Sequence, residues 1–297
     1  MYYQAHLTDR RVIEVSGSDR TAFLQGLVSN NVEKATAHTA VWAALLTAQG
    51  KWKADFFITS TDSSLYLDCE ETQADMIFTT LTRYKLKADV KLKSTSLQVF
   101  AFWSHDQTPL FPLNQSSPPF STAEALITPD PRCQQAGYRC LIASQSIAAL
   151  DKGLITSQDT ISLTSLATYH AHRITLGLPD PKDCILCTPI LLEANFDIFN
   201  GIDWKKGCYL GQEVTARSHY RGLVKKRIMR IEAEEPLPMP GSSITESEKE
   251  VGILCTTSHT KGLALLRLDH RHKNLTINQI ALKVNPIPQQ FDGKPFS

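Results

Sequence analysis

No run of apolar residues in this 297-residue chain reaches the roughly 18–20 that a membrane-crossing helix needs. The opening residues, MYYQAHLTDRR, lack the basic-then-apolar layout of a secretory signal. These two absences predict a cytoplasmic protein with no membrane partner. The GxGxxG and Walker patterns that cradle phosphates are missing, as is the GxSxG elbow of hydrolases, so nothing in the sequence supports nucleotide-phosphate binding or that nucleophile chemistry. No internal repeat is apparent, and the net charge of +1 gives the chain as a whole no electrostatic pull on a polyanion. The seven cysteines are odd in number and scattered, unlike the framework of a small disulfide-stapled domain. Reduced thiols are expected. A single CxxC, Cys184 and Cys187, has no second CxxC or HxxxH to complete a zinc site. Pro189 follows two residues on, unlike a redox pair that opens a helix. The pair reads as two incidental thiols, with metal and redox roles as alternatives. The nine histidines are dispersed, and no stably bound metal is predicted.

What is present is the composition of an ordinary folded protein, 42% apolar and 21% charged. The length exceeds what one hydrophobic core usually supports, which predicts two or three subdomains. Residues 12–15 are β-prone, and Gly17, Ser18 and Asp19 then offer a turn and cap before apolar residues at helical spacing. Residues 41–46 and 55–59 read as a hairpin around TAQGKWKA. A strand at 65–68, a helix at 72–84 and a strand at 90–92 complete an order close to split β-α-β, ferredoxin-like layers. A second α/β layer follows, with strands at 97–103 and 138–142, helices near 146–152 and 165–174, and a Pro- and Ser-rich outer loop at 109–119. From about residue 223 the texture changes to β-prone segments (RIMRIEA, VGILCTTS, LALLRLD, LTINQIALKV) separated by turn residues. This predicts a small all-β barrel or sandwich. The fold class is therefore α+β, divided as 1–96, 97–222 and 223–297.

The stretch KKGCYLGQEVTARSHYRG concentrates chemistry. Between residues 205 and 230 eight Lys or Arg face one acid, Glu213. The patch is either a solvated face or an anion site for phosphate, a polyglutamate tail or RNA. Within it, Gly207 and Gly211 free the backbone around Cys208 for tight or left-handed conformations. Nearby cations would favour the thiolate. The alternative is a small buried cysteine beside Tyr209 and Leu210.

KGCYLGQE, residues 206–213, is similar to the KGCYxGQE signature of the YgfZ family of iron–sulfur cluster assembly factors, relatives of the glycine-cleavage T-protein, an aminomethyltransferase. The resemblance extends through residues 190–222, VSGSDRTAFLQGLVSNNV and the AALLTAQGKWKADFFI hairpin, and more loosely to VGILCTTS. It implies two ferredoxin-like α/β modules plus a C-terminal β-barrel around a central tetrahydrofolate-binding hole. It also implies a part in making or maintaining iron–sulfur clusters, in company with assembly machinery or cluster-containing client enzymes, including enzymes that thiolate tRNA. No settled catalytic reaction comes with it. Carried over residue by residue, it makes Cys208, Lys206 and Glu213 the candidates for chemistry. Gly207, Gly211 and Gln212 become folate-site candidates, with Tyr169 stacking on the pterin and Arg173 or Arg217 near the glutamate tail. A further aromatic expected just before the first strand falls near Arg10. An aminomethyltransferase is the alternative, but where those enzymes carry a glutamate in an RLEAG stretch this chain has RITLG, with Thr175 and Leu176. A non-catalytic folate- or RNA-binding module is the other, with the basic patch as a weak RNA contact.

Overall fold

The computed structural model describes residues 1–104, 125–146, 161–187 and 189–285. The loop expected at 109–119 lies outside them, as does all but the first residue of the helix expected at 146–152. The chain divides into two compact units: Met1–Leu45, Ala54–Tyr169 and Asn200–Tyr209 form the first, and Leu46–Lys53, His170–Phe199 and Leu210–Ser297 the second.

The first unit carries two five-stranded sheets. One has the order β3(Val41–Leu46), β4(Trp52–Ser60), β5(Ser64–Glu70), β2(Arg10–Ser16), β6(Lys91–Ser94). Helices α1(Arg20–Gln25) and α2(Glu71–Tyr84) cover one of its faces. Glu70 caps α2 by accepting the Thr72 amide at 2.7 Å, and Ala74, Ile77 and Leu81 fall on one helical stripe that buries against the sheet. Alternation along β4 sends Ala54, Phe56 and Ile58 into that core, so Asp55, Phe57 and Thr59 point to the opposite face. The opposite face is buried as well, which is why β4 reads as nearly continuous burial rather than simple alternation.

The other sheet has the order β10(Ile161–Thr164), β1(Tyr2–His6), β7(Gln98–Ser104), β9(Tyr138–Ile142), β8(Ala125–Pro129). Its β1 comes from the first residues of the chain, pairing parallel to β10 and antiparallel to β7. The chain thus visits this sheet before building the other. Sequence reading places its first strand at 12–15 and passes over β1, whose YYQAH offers only five residues with polar ones among them.

In the second unit, helices α3(Leu166–Leu176), from His170 onward, and α4(Pro181–Cys187) precede α5(Gln212–Tyr220) and a closed barrel. Its strand order is β11(Lys226–Glu232), β14(Lys261–Arg267), β13(Lys249–Ser258), β12(Ser243–Glu246), β15(Leu275–Ile277), β16(Ile280–Asn285). Closure pairs every strand on both sides and leaves no open sheet edge. Ile231, Ile244, Leu254, Leu266 and Ile277 fill the interior. Mixed helix and sheet with a C-terminal barrel is the α+β class expected from the sequence. Among the described residues no helix is long and apolar enough to cross a membrane.

Candidate functional site around the KGCY loop

The segment leading to Cys208 is stitched to residues far away in sequence but within the same unit. Asn30 donates through Nδ2 to the carbonyls of Asn200 (2.7 Å) and Trp42 (2.9 Å), and Ser29 donates through Oγ to the Gly201 carbonyl at 2.7 Å. The Asp203 amide donates to the Ser29 carbonyl at 3.2 Å. Its carboxylate receives Lys34 Nζ at 2.7 Å and the Lys205 amide at 2.8 Å. Burial acts to raise the Asp203 carboxyl, but the Lys34 ammonium and the Lys205 and Lys206 amides outweigh it and hold the group below its ordinary value.

Lys206 follows. Its ammonium donates to three backbone carbonyls, Gln25 at 2.8 Å, Val28 at 2.7 Å and Asn30 at 2.8 Å, just past the last turn of α1. Helix carbonyls without intrahelical partners carry partial negative charge, so a cation there satisfies orphaned acceptors. Nζ also stands 5.2 Å from the centre of the Tyr209 ring. Burial pushes the ammonium down to about 8 against the pull of Asp203 and Glu33, so it remains mostly charged at neutral pH. The ammonium of Lys206, expected to act as a charge for the neighbouring thiolate, thus directs its donors at carbonyls.

Cys208 sits between these two anchored residues with its side chain exposed, whereas Cys69, Cys133, Cys140, Cys184 and Cys255 are buried. Burial pushes the Cys69, Cys133 and Cys140 thiols up to about 12, with Asp68 and Glu70 adding to it at Cys69 and Asp130 at Cys133. The thiolate is the nucleophile. Brief iodoacetamide treatment of the native chain is expected to label Cys208 and leave Cys69, Cys133 and Cys140 unmodified until denaturant is added. Peptide mass mapping checks this, and labelling of Cys140 at the rate of Cys208 would contradict it.

The motif glycines differ. A Cβ on Gly207 would meet nothing within 4 Å, and its φ is not in the left-handed region, so the backbone freedom expected of it is not used. Gly211 has φ +78° and precedes α5. A Cβ there would lie 2.4 Å from the Thr47 carbonyl oxygen, and Gly50, φ +74°, packs against it from the hairpin tip. Gln212 is half-buried at the start of α5, while Glu213 and Arg217 are exposed. Glu213 stands in the first turn, where the helix dipole favours an acid.

The basic stretch is less free than its sequence suggests. Arg227 donates to the Leu192 carbonyl at 2.6 Å and pairs with Asp197 at 2.8 Å, and Arg230 donates to the Thr175 carbonyl at 2.6 Å. Lys205, Arg217, Arg221, Lys225 and Lys226 are exposed.

Two expected folate contacts do not fit. Tyr169 is 6% exposed, lies edge-on to Trp103, and its hydroxyl accepts from Arg139 at 3.2 Å and Arg132 at 3.4 Å. Its ring is part of a core, not an open stacking platform. The Arg173 guanidinium is 1% exposed, bonded to Asp183 at 2.8 Å, the Leu178 carbonyl at 3.1 Å and His170 Nδ1 at 3.0 Å. It does not present a cation to an anionic tail. Burial raises the Asp183 carboxyl even against Arg173.

Sequence reading also misses a buried ionic network in the first unit. Asp68 accepts Arg10 Nε at 2.7 Å and Arg139 Nε at 2.8 Å, and a second Arg139 nitrogen also donates to it. Arg132 pairs with Asp130 at 2.7 Å. Burial works against the Asp130 charge, but Arg132 and Arg139 prevail and hold that carboxyl low. Phe57 lies beneath three guanidiniums, with Arg139 at 3.9 Å, Arg132 at 4.8 Å and Arg10 at 5.6 Å. The aromatic expected near Arg10 is thus replaced by a cation that bonds Asp68. Beside the network a small cleft is lined by Phe57, Thr59, Asp68, Thr128 and Arg139 among others, and Thr59 Oγ1 lies buried there without a hydrogen-bond partner. The signal for the network was a charged residue set among apolar ones in a strand, Arg139 in YRCLI and Asp68 in SLYLDCE. Of the CxxC, Cys184 is buried in α4, and among the described residues no group of three or more His, Cys, Asp or Glu is arranged to hold an ion.

This architecture is that of the glycine-cleavage aminomethyltransferase: aminomethyltransferase T from Bartonella henselae superposes with a TM-score of 0.71 over 97% of this chain and 86% of that one, at 13% identity. That likeness shows the fold alone. Residues 225–290 match the model described as CAF17, C-terminal beta-barrel domain. In sequence, the chain is similar to iron–sulfur cluster assembly factors named IBA57. It is 32% identical to the Coccidioides immitis homolog over 80% of this chain and 59% of the relative. The Neurospora crassa homolog is 33% identical, over 75% and 52%, and the mouse protein 28%, over 88% and 76%. The chain spans between half and three-fifths of the length of these two fungal relatives. All three are named mitochondrial, which overturns the cytoplasmic expectation. The lack of a membrane-length apolar run, on which that expectation partly rested, does not separate one aqueous compartment from another.

Proposed function

We propose that this chain serves the assembly or maintenance of iron–sulfur clusters in the mitochondrion, with Cys208 as its working thiol. One observation carries the role of Cys208: among the described cysteine side chains given a burial state it alone is exposed, and it rides on a loop anchored on both sides. The likeness to IBA57 assembly factors supplies the context. The cysteine thiolate is a soft ligand suited to iron–sulfur clusters, and a thiol that binds in this form gives up one proton. In this reading clusters are cargo, received from assembly machinery and destined for client enzymes, among them those that thiolate tRNA.

Tetrahydrofolate belongs to the proposal as a ligand and not as a reactant. Its support is the family resemblance, with Gly207, Gly211, Gln212 and Arg217 as the residues left to contact it once Tyr169 and Arg173 are set aside. No observation favours the aminomethyltransferase reading: Thr175 stands where those enzymes carry a carboxylate, and its hydroxyl bonds to the Ala171 carbonyl at 2.9 Å within α3. The test is complementation of cells lacking their own relative of this chain. Wild type is expected to restore cluster-enzyme activity and Cys208→Ala to fail. Full rescue by Cys208→Ala would remove the thiol from the function. Quenching of tryptophan fluorescence by tetrahydrofolate tests the ligand separately, and an unchanged spectrum would count against it.

A further inference from the structure

The three carbonyls around Lys206 Nζ do more than satisfy a buried charge. Gln25, Val28 and Asn30 lie at the end of α1 and the turn after it, and all three oxygens converge on one nitrogen at 2.7–2.8 Å. An ammonium has three protons and no acceptor, so this arrangement uses its whole donor capacity. On the far side of Cys208, the Tyr209 ring faces the same nitrogen at 5.2 Å. One ammonium, two residues before the thiol, thus bonds the end of α1 and faces the ring of the residue after the thiol. At Gly207, between Lys206 and the thiol, an added Cβ would meet nothing within 4 Å.

We infer that Lys206 is the positioning residue of the thiol, a latch that fixes where the Cys208 loop stands by plugging the carbonyl-lined end of α1. The inference rests on the reading of Cys208 as the working thiol, but the latch itself is a property of geometry and is measured without any cluster. Removing the ammonium takes the donor from three carbonyl oxygens and the cation from the Tyr209 ring, so the loop loses the three bonds that tie Lys206 to the end of α1, while residues 200–205 keep theirs through Asn30, Ser29 and Lys34. Arginine is no substitute. Its donors lie in a planar fork and cannot converge from one atom on three oxygens.

The experiment is a nitroxide attached to Cys208 in the full chain carrying Cys187→Ala, read by electron paramagnetic resonance. With Lys206 present the spectrum is expected to be dominated by a broad, slow component. In Lys206→Met and in Lys206→Arg a narrow, severalfold faster component is expected to take over, with far-ultraviolet circular dichroism unchanged. In Lys206→Ala, ethylammonium is expected to restore the slow component by entering the vacated carbonyl site. If Lys206→Met does not fold, Lys206→Arg, which keeps the charge, carries the test. A folded Lys206→Arg chain with the wild-type line shape overturns the latch. Complementation then separates the two readings: a Lys206→Arg chain with a mobile loop is expected to rescue poorly. Full rescue with a mobile loop overturns the positioning role, and rescue by Cys208→Ala overturns the role of the thiol while leaving the latch standing.

Discussion

Asp68→Ala is expected to destabilise the first unit by about 3–5 kcal/mol, the range found when one member of a buried ion pair is removed and its partner stays behind. Asp68 is 2% exposed, and the two arginines on it have side chains only 5% and 4% exposed. Deleting the carboxylate removes the direct carboxylate partner of two guanidiniums at once. Arg10 keeps a bond to the Asp68 backbone carbonyl at 2.6 Å, and Arg139 keeps the Tyr169 hydroxyl at 3.2 Å and Asp130 at 4.0 Å, the last already engaged with Arg132. None of these contacts replaces a direct carboxylate. The stacking of guanidiniums on Phe57 is worth about 0.5–2 kcal/mol each, too little to offset desolvation of a charge. Because the penalty comes from orphaned cations and not from the lost pair, the double variant Asp68→Leu with Arg139→Met is expected to recover part of the stability. Urea denaturation followed by tryptophan fluorescence checks both, since Trp42 and Trp103 lie in this unit's interior. A loss under about 1 kcal/mol for Asp68→Ala would mean that the network is hydrated and does not behave as a buried pair.

What the sequence disclosed and what it hid divide along the separation of interacting residues. The cysteine motif is local, so KGCYLGQE was visible as a unit, and the β-barrel announced itself by four β-prone segments between turns. Lys206 was visible as a motif residue, but not its task, because its acceptors lie 176 to 181 residues away. Asp68 and Arg139 are 71 residues apart, and each alone looks like a polar interruption of a strand. The family resemblance implies a folate site with Tyr169 and Arg173. A resemblance carries over positions along α3 but not what each side chain meets, and here the ring meets Trp103 while the guanidinium meets Asp183. The basic stretch misled for the same reason, since Lys206, Arg227 and Arg230 point their charges at backbone carbonyls or a partner acid. Local pattern thus located the loop, and only the fold showed which of its residues are held and which is presented.

The two glycines of the motif offer the sharpest contrast. Gly207→Ala is expected to change stability by no more than about 0.5 kcal/mol, as at an unencumbered surface position, because its Cβ meets nothing and its backbone is not left-handed. Gly211→Ala is expected to cost roughly 2–5 kcal/mol, combining about 1–2 for a non-glycine residue in the left-handed region with about 1–3 for overpacking. The clash is with backbone. The new Cβ would lie 2.4 Å from the Thr47 carbonyl oxygen and 2.9 Å from Leu46 Cβ, and a carbonyl within a hairpin tip cannot rotate aside as a long side chain would. That tip is itself closed by Thr47 and Lys51, whose mutual backbone bond is 2.9 Å, and turned by Gly50 at φ +74°. A Cβ on Gly50 would meet Val214 Cβ at 2.6 Å and the Gly211 carbonyl at 2.9 Å, so neither glycine can give way to the other. The QGK of the hairpin and the LGQE of the motif are consequently a matched pair, each glycine present so that the backbone of the other can approach. Thermal or urea unfolding of the two single variants decides the matter. Equal stability in Gly207→Ala and Gly211→Ala would show that the start of α5 is not seated on the hairpin tip.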